Sequence, residues 1–207
     1  MLYHERRARR QGYDVVIGVD EAGRGPLAGP LVVAAACLRT HRFSARIDDS
    51  KKLTPPQRER AFLELGGKAF FDVAWASAEA IETLGIAGAA AFGVDAAVAR
   101  LIARLAKENA DHRGVQLLLD GALSTRMPYP AKVIIGGDGK SLSIAAASIV
   151  AKVVRDRLMR IYDRVYPGYA FAAHKGYGTA VHRRRLARHG LCPIHRVSFC
   201  KGWVKHG

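Results

Sequence analysis

Apolar positions along the chain fall into two periods. Short apolar runs at residues 13–20, 31–38, 69–75, 115–119 and 132–135 suit strands, because each is short and bounded by glycine, proline or charge. Apolar residues at helical spacing, such as Val94, Val98, Leu101, Ile102 and Leu105, predict helices over 78–84 and 88–109. Further helices are expected from Thr54, with prolines in the first turn behind an N-cap threonine, over 141–165, and over about 178–188. Tyr166-Pro167-Gly168-Tyr169 breaks the last two apart, and residues 1–12 read as a frayed basic arm or a helix turn. Three strands, helices, two strands and then helices make an α/β chain. Its first strands can pair antiparallel and its later ones join in parallel.

At 207 residues, 49% hydrophobic, the chain can bury a substantial core as one domain with a small appendage. We divide it into an arm at 1–12, a core at 13–165 and a basic helical part at 166–207. No run of roughly 20 apolar residues is evident and the first ten residues lack a signal-peptide core, so a cytoplasmic protein without a membrane is expected. Cys37, Cys192 and Cys200 form no CxxC pair and are read as reduced thiols, Cys37 as a core residue.

Charge is more informative. The net +15 is concentrated at the ends: residues 151–207 carry 13 Lys and Arg against Asp156 and Asp163, and residues 1–12 carry four arginines against Glu5. A near-neutral body with a basic C-terminal quarter suggests a polyanion along one side, although solvated helix surface explains charge alone equally well.

Strands one, four and five each end in an acid, at Val19-Asp20-Glu21, Leu119-Asp120 and Gly137-Asp138. If these strands run parallel, their carboxyl ends share one edge, where open α/β sheets bind ligands. Each acid alone could cap a helix or close a turn. Together they would repel one another unless a cation compensates, and oxygen ligands without histidine or cysteine favour Mg²⁺ or Mn²⁺. Two such ions about 4 Å apart are a known arrangement for phosphodiester cleavage. Neighbours on a strand face opposite ways, so joint use of Asp20 and Glu21 requires the chain to turn at that point. Gly23 and Gly25 permit a turn and a close backbone approach to a ligand.

Two nucleotide-binding patterns are set aside. Gly23-x-Gly25-x-x-Ala28 is followed by a strand where a dinucleotide fingerprint needs a helix. Gly139-Lys140-Ser141 resembles the end of a P-loop, but isoleucine stands at 134 where that motif needs glycine.

Several motifs in order resemble ribonuclease HII of the bacterial type: Gly18-Val19-Asp20-Glu21-Ala22-Gly23-Arg24-Gly25-Pro26, Asp49-Ser50-Lys51-Lys52-Leu53, Leu119-Asp120-Gly121, the run from Gly137 to Arg157, His174-Lys175-Gly176-Tyr177-Gly178-Thr179, and Pro193-Ile194-His195-Arg196-Val197-Ser198-Phe199. The resemblance implies a ribonuclease H-like fold with a mixed five-stranded sheet flanked by helices and a helical C-terminal part. It implies endonucleolytic hydrolysis of RNA in RNA–DNA hybrids, and cleavage 5′ of single ribonucleotides in duplex DNA, by a monomer serving ribonucleotide removal. Its metal ligands would fall on Asp20, Glu21, Asp120 and Asp138, its ribonucleotide sensor on Gly23-Arg24-Gly25, and its stacking residue on Tyr177. Only the 2′-hydroxyl separates RNA from DNA at a given site, and a glycine loop can approach it closely.

Lys51 is a candidate phosphate contact or a solvated loop lysine. Arg155 and Asp156 could pair with each other or support the site from behind the metal ligands. His174, His182 and His195 are expected to cap or pack. One departure stands out: the family's asparagine-bearing segment between the third and fourth strands is replaced by Thr83-Leu84-Gly85-Ile86-Ala87-Gly88-Ala89, which removes an expected grip on the DNA strand. The rival reading is a basic nucleic-acid-binding protein without catalysis, whose acids only cap helices.

Overall fold

The computed structural model describes residues 1–108 and 114–203. Residue 109, where the second long helix was expected to close, and residues 204–207 of the basic C-terminal part lie outside the described residues. The elements in chain order are α1 (Tyr3–Arg10), β1 (Val15–Ala22), β2 (Leu31–Leu38), a 3₁₀ turn (Ser50–Lys52), α2 (Pro55–Lys68), β3 (Ala69–Ala76), α3 (Ala78–Glu108), β4 (Val115–Asp120), β5 (Ala131–Ile134), a second 3₁₀ turn (Gly137–Gly139), α4 (Leu142–Val165), α5 (Phe171–His174), α6 (Ala180–His189) and α7 (Val197–Cys200).

The strands form one mixed sheet in the order β3-β2-β1-β4-β5. β1, β2 and β3 pair antiparallel, while β1, β4 and β5 run parallel, as the strand-end argument required. Alternation along β1 and β2 separates two apolar layers. Ile17, Val19, Leu31, Val33 and Ala35 face α3, whereas Val32, Ala34 and Ala36 face α4 and α2. The three-layer sandwich leaves the carboxyl ends of β1, β4 and β5 along one edge.

Local chemistry explains the helix ends. Thr54 and Gln57 form a reciprocal capping box at the start of α2, worth about 1 kcal/mol. The helices expected at 78–84 and 88–109 are nearly continuous and are interrupted only at Gly85, whose φ of 68° and ψ of 162° are non-helical. α3 also corrects the expectation that no segment matches a membrane span. By length and a mean hydropathy of 1.6 it would qualify, yet Val94, Ala97, Val98, Leu101 and Leu105 bury its inner face against the sheet.

Residues 3–10 are a helix, not a frayed arm, because Glu5 anchors them. Its Oε1 accepts hydrogen bonds from Ser141 Oγ at 2.5 Å, Ser143 N at 3.0 Å and Ser143 Oγ at 2.9 Å, at the start of α4. Favourable helix-dipole interaction adds to these bonds.

Candidate active site

α4 crosses β1 where a side chain is missing. A Cβ on Gly18 would lie 2.1 Å from the backbone carbon of Ser143 and 2.3 Å from the nitrogen of Ile144, so only glycine admits the helix at this depth. Asp20, two residues along the same face, therefore comes to lie beside Ser148 of α4. Ser148 in turn donates to Ser50 Oγ at 2.9 Å, which ties α4 to the turn that carries Lys51.

β4 brings Asp120 and the turn after β5 brings Asp138. One carboxylate oxygen from each of Asp20, Asp120 and Asp138 lies within 4.8 Å of the others. Asp120 Oδ1 accepts from Gly137 N at 2.5 Å, which fixes the Asp138 turn against β4. Lys51 Nζ stands 3.2 Å from Asp138 Oδ2.

Glu21 arrives differently from expectation. The chain does not turn between Asp20 and Glu21: β1 continues to Ala22, paired with β2 throughout. Glu21 leaves from the face opposite Asp20 and still lines the same pocket, because pairing between β1 and β4 stops at Val19–Leu119 and leaves the strand edge open beyond it. Its Oε1 lies 3.4 Å from Arg24 Nη1, and its carboxylate is outside the close trio.

The electrostatics favour a cation. Burial, followed by the charges of Glu21 and Asp120, holds the Asp20 carboxyl well above its ordinary pKa, and burial raises that of Glu21. The donors are all carboxylate oxygens, which suits a hard divalent ion, so the residues present fit the metal that the resemblance implies.

Around the acids, a pocket of about 230 Å³ is lined by Gly23, Arg24, Gly25, Lys51, Lys152, Arg155 and Tyr177. Tyr177 is 44% exposed, leaving its ring available to a ligand. Arg155 and Asp156 do not pair with each other. Adjacent helix residues point apart, so Arg155 turns inward to backbone carbonyls of Pro30, Ala28 and Lys175 while Asp156 accepts from Lys152 at 2.6 Å.

Ser50, Ser148, Lys152 and Arg196 lie within the motifs quoted above, but nothing local in the sequence assigns them a role. A polar residue at one position on an apolar helix, such as Ser148, carries no periodic signal. Only the depth at which α4 crosses Gly18 gives it a partner.

His174, His182 and His195 pack together, as expected: His174 stacks on His182 with ring centroids 4.3 Å apart, and directed bonds join His182 to His195. Cys192 N donates to His195 Nδ1 at 2.9 Å, which leaves the proton on His195 Nε2, 3.1 Å from His182 Nε2. His182 then carries its own proton on Nδ1, 3.0 Å from the Tyr177 carbonyl. Burial lowers the pKa of all three, that of His182 to about 4.

A family model described as Ribonuclease HII matches residues 17–202. The chain is 46% identical over 199 residues to ribonuclease HII of Syntrophotalea carbinolica, covering 96% of this chain and 91% of that one. It is 45% identical over 206 residues to ribonuclease HII of Ruminiclostridium cellulolyticum, covering 99% and 77%. Among solved structures, the PCNA:RNase HII complex from Archaeoglobus fulgidus contains a chain similar in fold, with a TM-score of 0.69 at 24% identity over 93% of this chain and 96% of that one. Bst-RNase HIII in complex with Mn²⁺ superposes with a TM-score of 0.70 at 21% identity, over 87% and 63%.

Proposed function

The chain belongs to the ribonuclease HII family, and we propose on that premise a division of labour for its pocket. The protein is a hydrolase, a ribonuclease H endonuclease acting on RNA–DNA hybrids and at single ribonucleotides in duplex DNA, and the family uses a divalent metal. The finer reading is that Asp20, Glu21, Asp120 and Asp138 hold two Mg²⁺ or Mn²⁺ ions and that the cut falls 5′ of the ribonucleotide, leaving 5′-phosphate and 3′-hydroxyl ends. The observation that carries it is the trio of carboxylates within 4.8 Å at the ends of parallel strands, directly beside a glycine loop.

A divalent metal there supplies Lewis acidity that makes water nucleophilic near neutral pH and offsets phosphate charge. Gly23-Arg24-Gly25 presents backbone groups to the ribose 2′-hydroxyl. Tyr177 stacks against the substrate, and Lys51, 3.2 Å from Asp138, is placed to move onto a phosphate oxygen when substrate enters. Ser148 and Lys152 orient from behind: the first beside Asp20, the second held by Asp156. Arg155 and Asp156 support the site without pairing. One chain supplies every residue named, which favours a monomer, and removal of ribonucleotides from DNA in the cytoplasm is the role this chemistry suits.

The test is incubation, with Mg²⁺ or Mn²⁺, of a DNA duplex carrying one ribonucleotide beside an all-DNA control. The wild type should cut only the former, and Asp120→Asn should abolish cutting while duplex binding persists. Full activity of Asp120→Asn would overturn the assignment, and a protein that binds both duplexes but cuts neither would be the non-catalytic rival.

A further inference from the structure

Beneath the glycine loop lie two arginines that are 0% and 1% exposed, Arg196 and Arg155. Among the described residues neither makes an ion pair; Asp156 pairs instead with Lys152 and Arg58. Their donors go to backbone carbonyls. Arg196 reaches Gly23 O at 2.6 Å, Arg24 O at 2.8 Å and Gly29 O at 2.9 and 3.1 Å. Arg155 reaches Pro30 O at 3.0 Å and Ala28 O at 3.2 Å, and its Nε would lie 2.1 Å from a Cβ on Gly23. Two neighbouring cations are thus buried on the backbone dipoles of this loop, with one further bond from Arg155 Nη1 to Lys175 O at 2.9 Å.

Such burial is costly, since no counter-ion offsets the lost hydration. An apolar side chain would fill the volume more cheaply, but it could not orient peptide groups. In a trans peptide the carbonyl of one residue and the N–H of the next point in opposite directions. Carbonyls of Gly23 and Arg24 drawn down onto Arg196 therefore turn the N–H groups of Arg24 and Gly25 away from it. Gly23, Arg24 and Gly25 line the pocket, and Arg196 does not.

We propose that Arg196 is a positioning residue for ribonucleotide selection: it pins the Gly23 and Arg24 carbonyls so that the following amides face the 2′-hydroxyl, while Arg155 holds the far end of the loop. The inference rests on the reading of Gly23-Arg24-Gly25 as the ribose contact. It predicts a loss of discrimination, not a general loss of nucleic-acid affinity, because Arg196 is buried beneath the loop and outside the pocket lining, and surface cations meet the phosphates.

The experiment measures, in an Asp120→Asn background that prevents cleavage, the Kd for a DNA duplex with one ribonucleotide and for the same duplex in all-DNA form. Arg196→Met should reduce the preference for the ribonucleotide at least tenfold while all-DNA affinity stays within twofold. Arg196→Lys, which keeps charge but cannot span three carbonyls, should restore part of the preference. A preserved ratio, or parallel loss of both affinities, would overturn the role. Should Arg196→Met fail to fold by near-ultraviolet circular dichroism, Arg196→Lys decides alone: a preference narrowed at least threefold supports the role and an unchanged one refutes it. A background protein with no ribonucleotide preference at all would instead overturn the reading of the loop on which the inference stands.

Discussion

Acid should weaken this protein through His182. The ring is completely buried, its Nδ1 proton is committed to the Tyr177 carbonyl, and its Nε2 faces the protonated Nε2 of His195. A second proton on His182 would set N–H against N–H. Burial of the ring, followed by the neighbouring charge of His174, holds the folded pKa at about 4, against 6.5 for an ordinary histidine. A histidine depressed in this way binds fewer protons when folded, so its contribution is complete above pH 6.5 and is lost as the pH falls toward 4. The full gap corresponds to about 3 kcal/mol, of which about 2 kcal/mol disappears between pH 7 and pH 5. Urea unfolding of wild type and His182→Asn at both pH values isolates the effect. Asp20, whose raised pKa acts with the opposite sign, titrates in both proteins and cancels in the comparison. The variant should be less stable at pH 7 but should lose about 2 kcal/mol less on acidification. An equal drop in both proteins would refute the depressed titration of His182.

Other perturbations address the frame and the metal. Gly18→Ala places a methyl 2.1 Å from the α4 backbone, where nothing flexible can yield, and should destabilise by about 3 kcal/mol in chemical denaturation while lowering activity through displaced Asp20. A small stability change would show that α4 can retreat from β1. Mg²⁺ or Mn²⁺ at a hundredfold excess over Kd should add about 2.7 kcal/mol, or ~5–10 °C in Tm, and Asp138→Asn should remove most of that gain. Equal stabilisation of wild type and variant would place the ion elsewhere.

The strands and the longer helices were legible because they rest on local chemistry, whereas α1 depends on Glu5 meeting Ser141 and Ser143. The capping box at Thr54 and Gln57, the break at Gly85 and the apolar runs of the strands depend on near neighbours. The candidate acids were legible for a related reason: an acid closing an apolar strand is a local pattern, and parallel pairing of β1, β4 and β5 turns three such patterns into one cluster. What failed was a rule about alternation applied without its boundary. Asp20 and Glu21 do point to opposite faces, yet both reach one pocket, since β4 pairs with β1 only as far as Val19.

The sequence by itself determined the order of the strands and longer helices, the acids at or just beyond the strand ends and the placement of glycine beside them, all of which follow from side-chain type and spacing. Tertiary structure alone decided that Gly18 admits α4, that Ser148 meets both Asp20 and Ser50, and that Arg196 closes onto Gly23 and Arg24 from 173 and 172 residues away. Buried polar groups take whichever partners packing brings within about 3 Å. No local pattern encodes that choice, because it exists only once the layers have met.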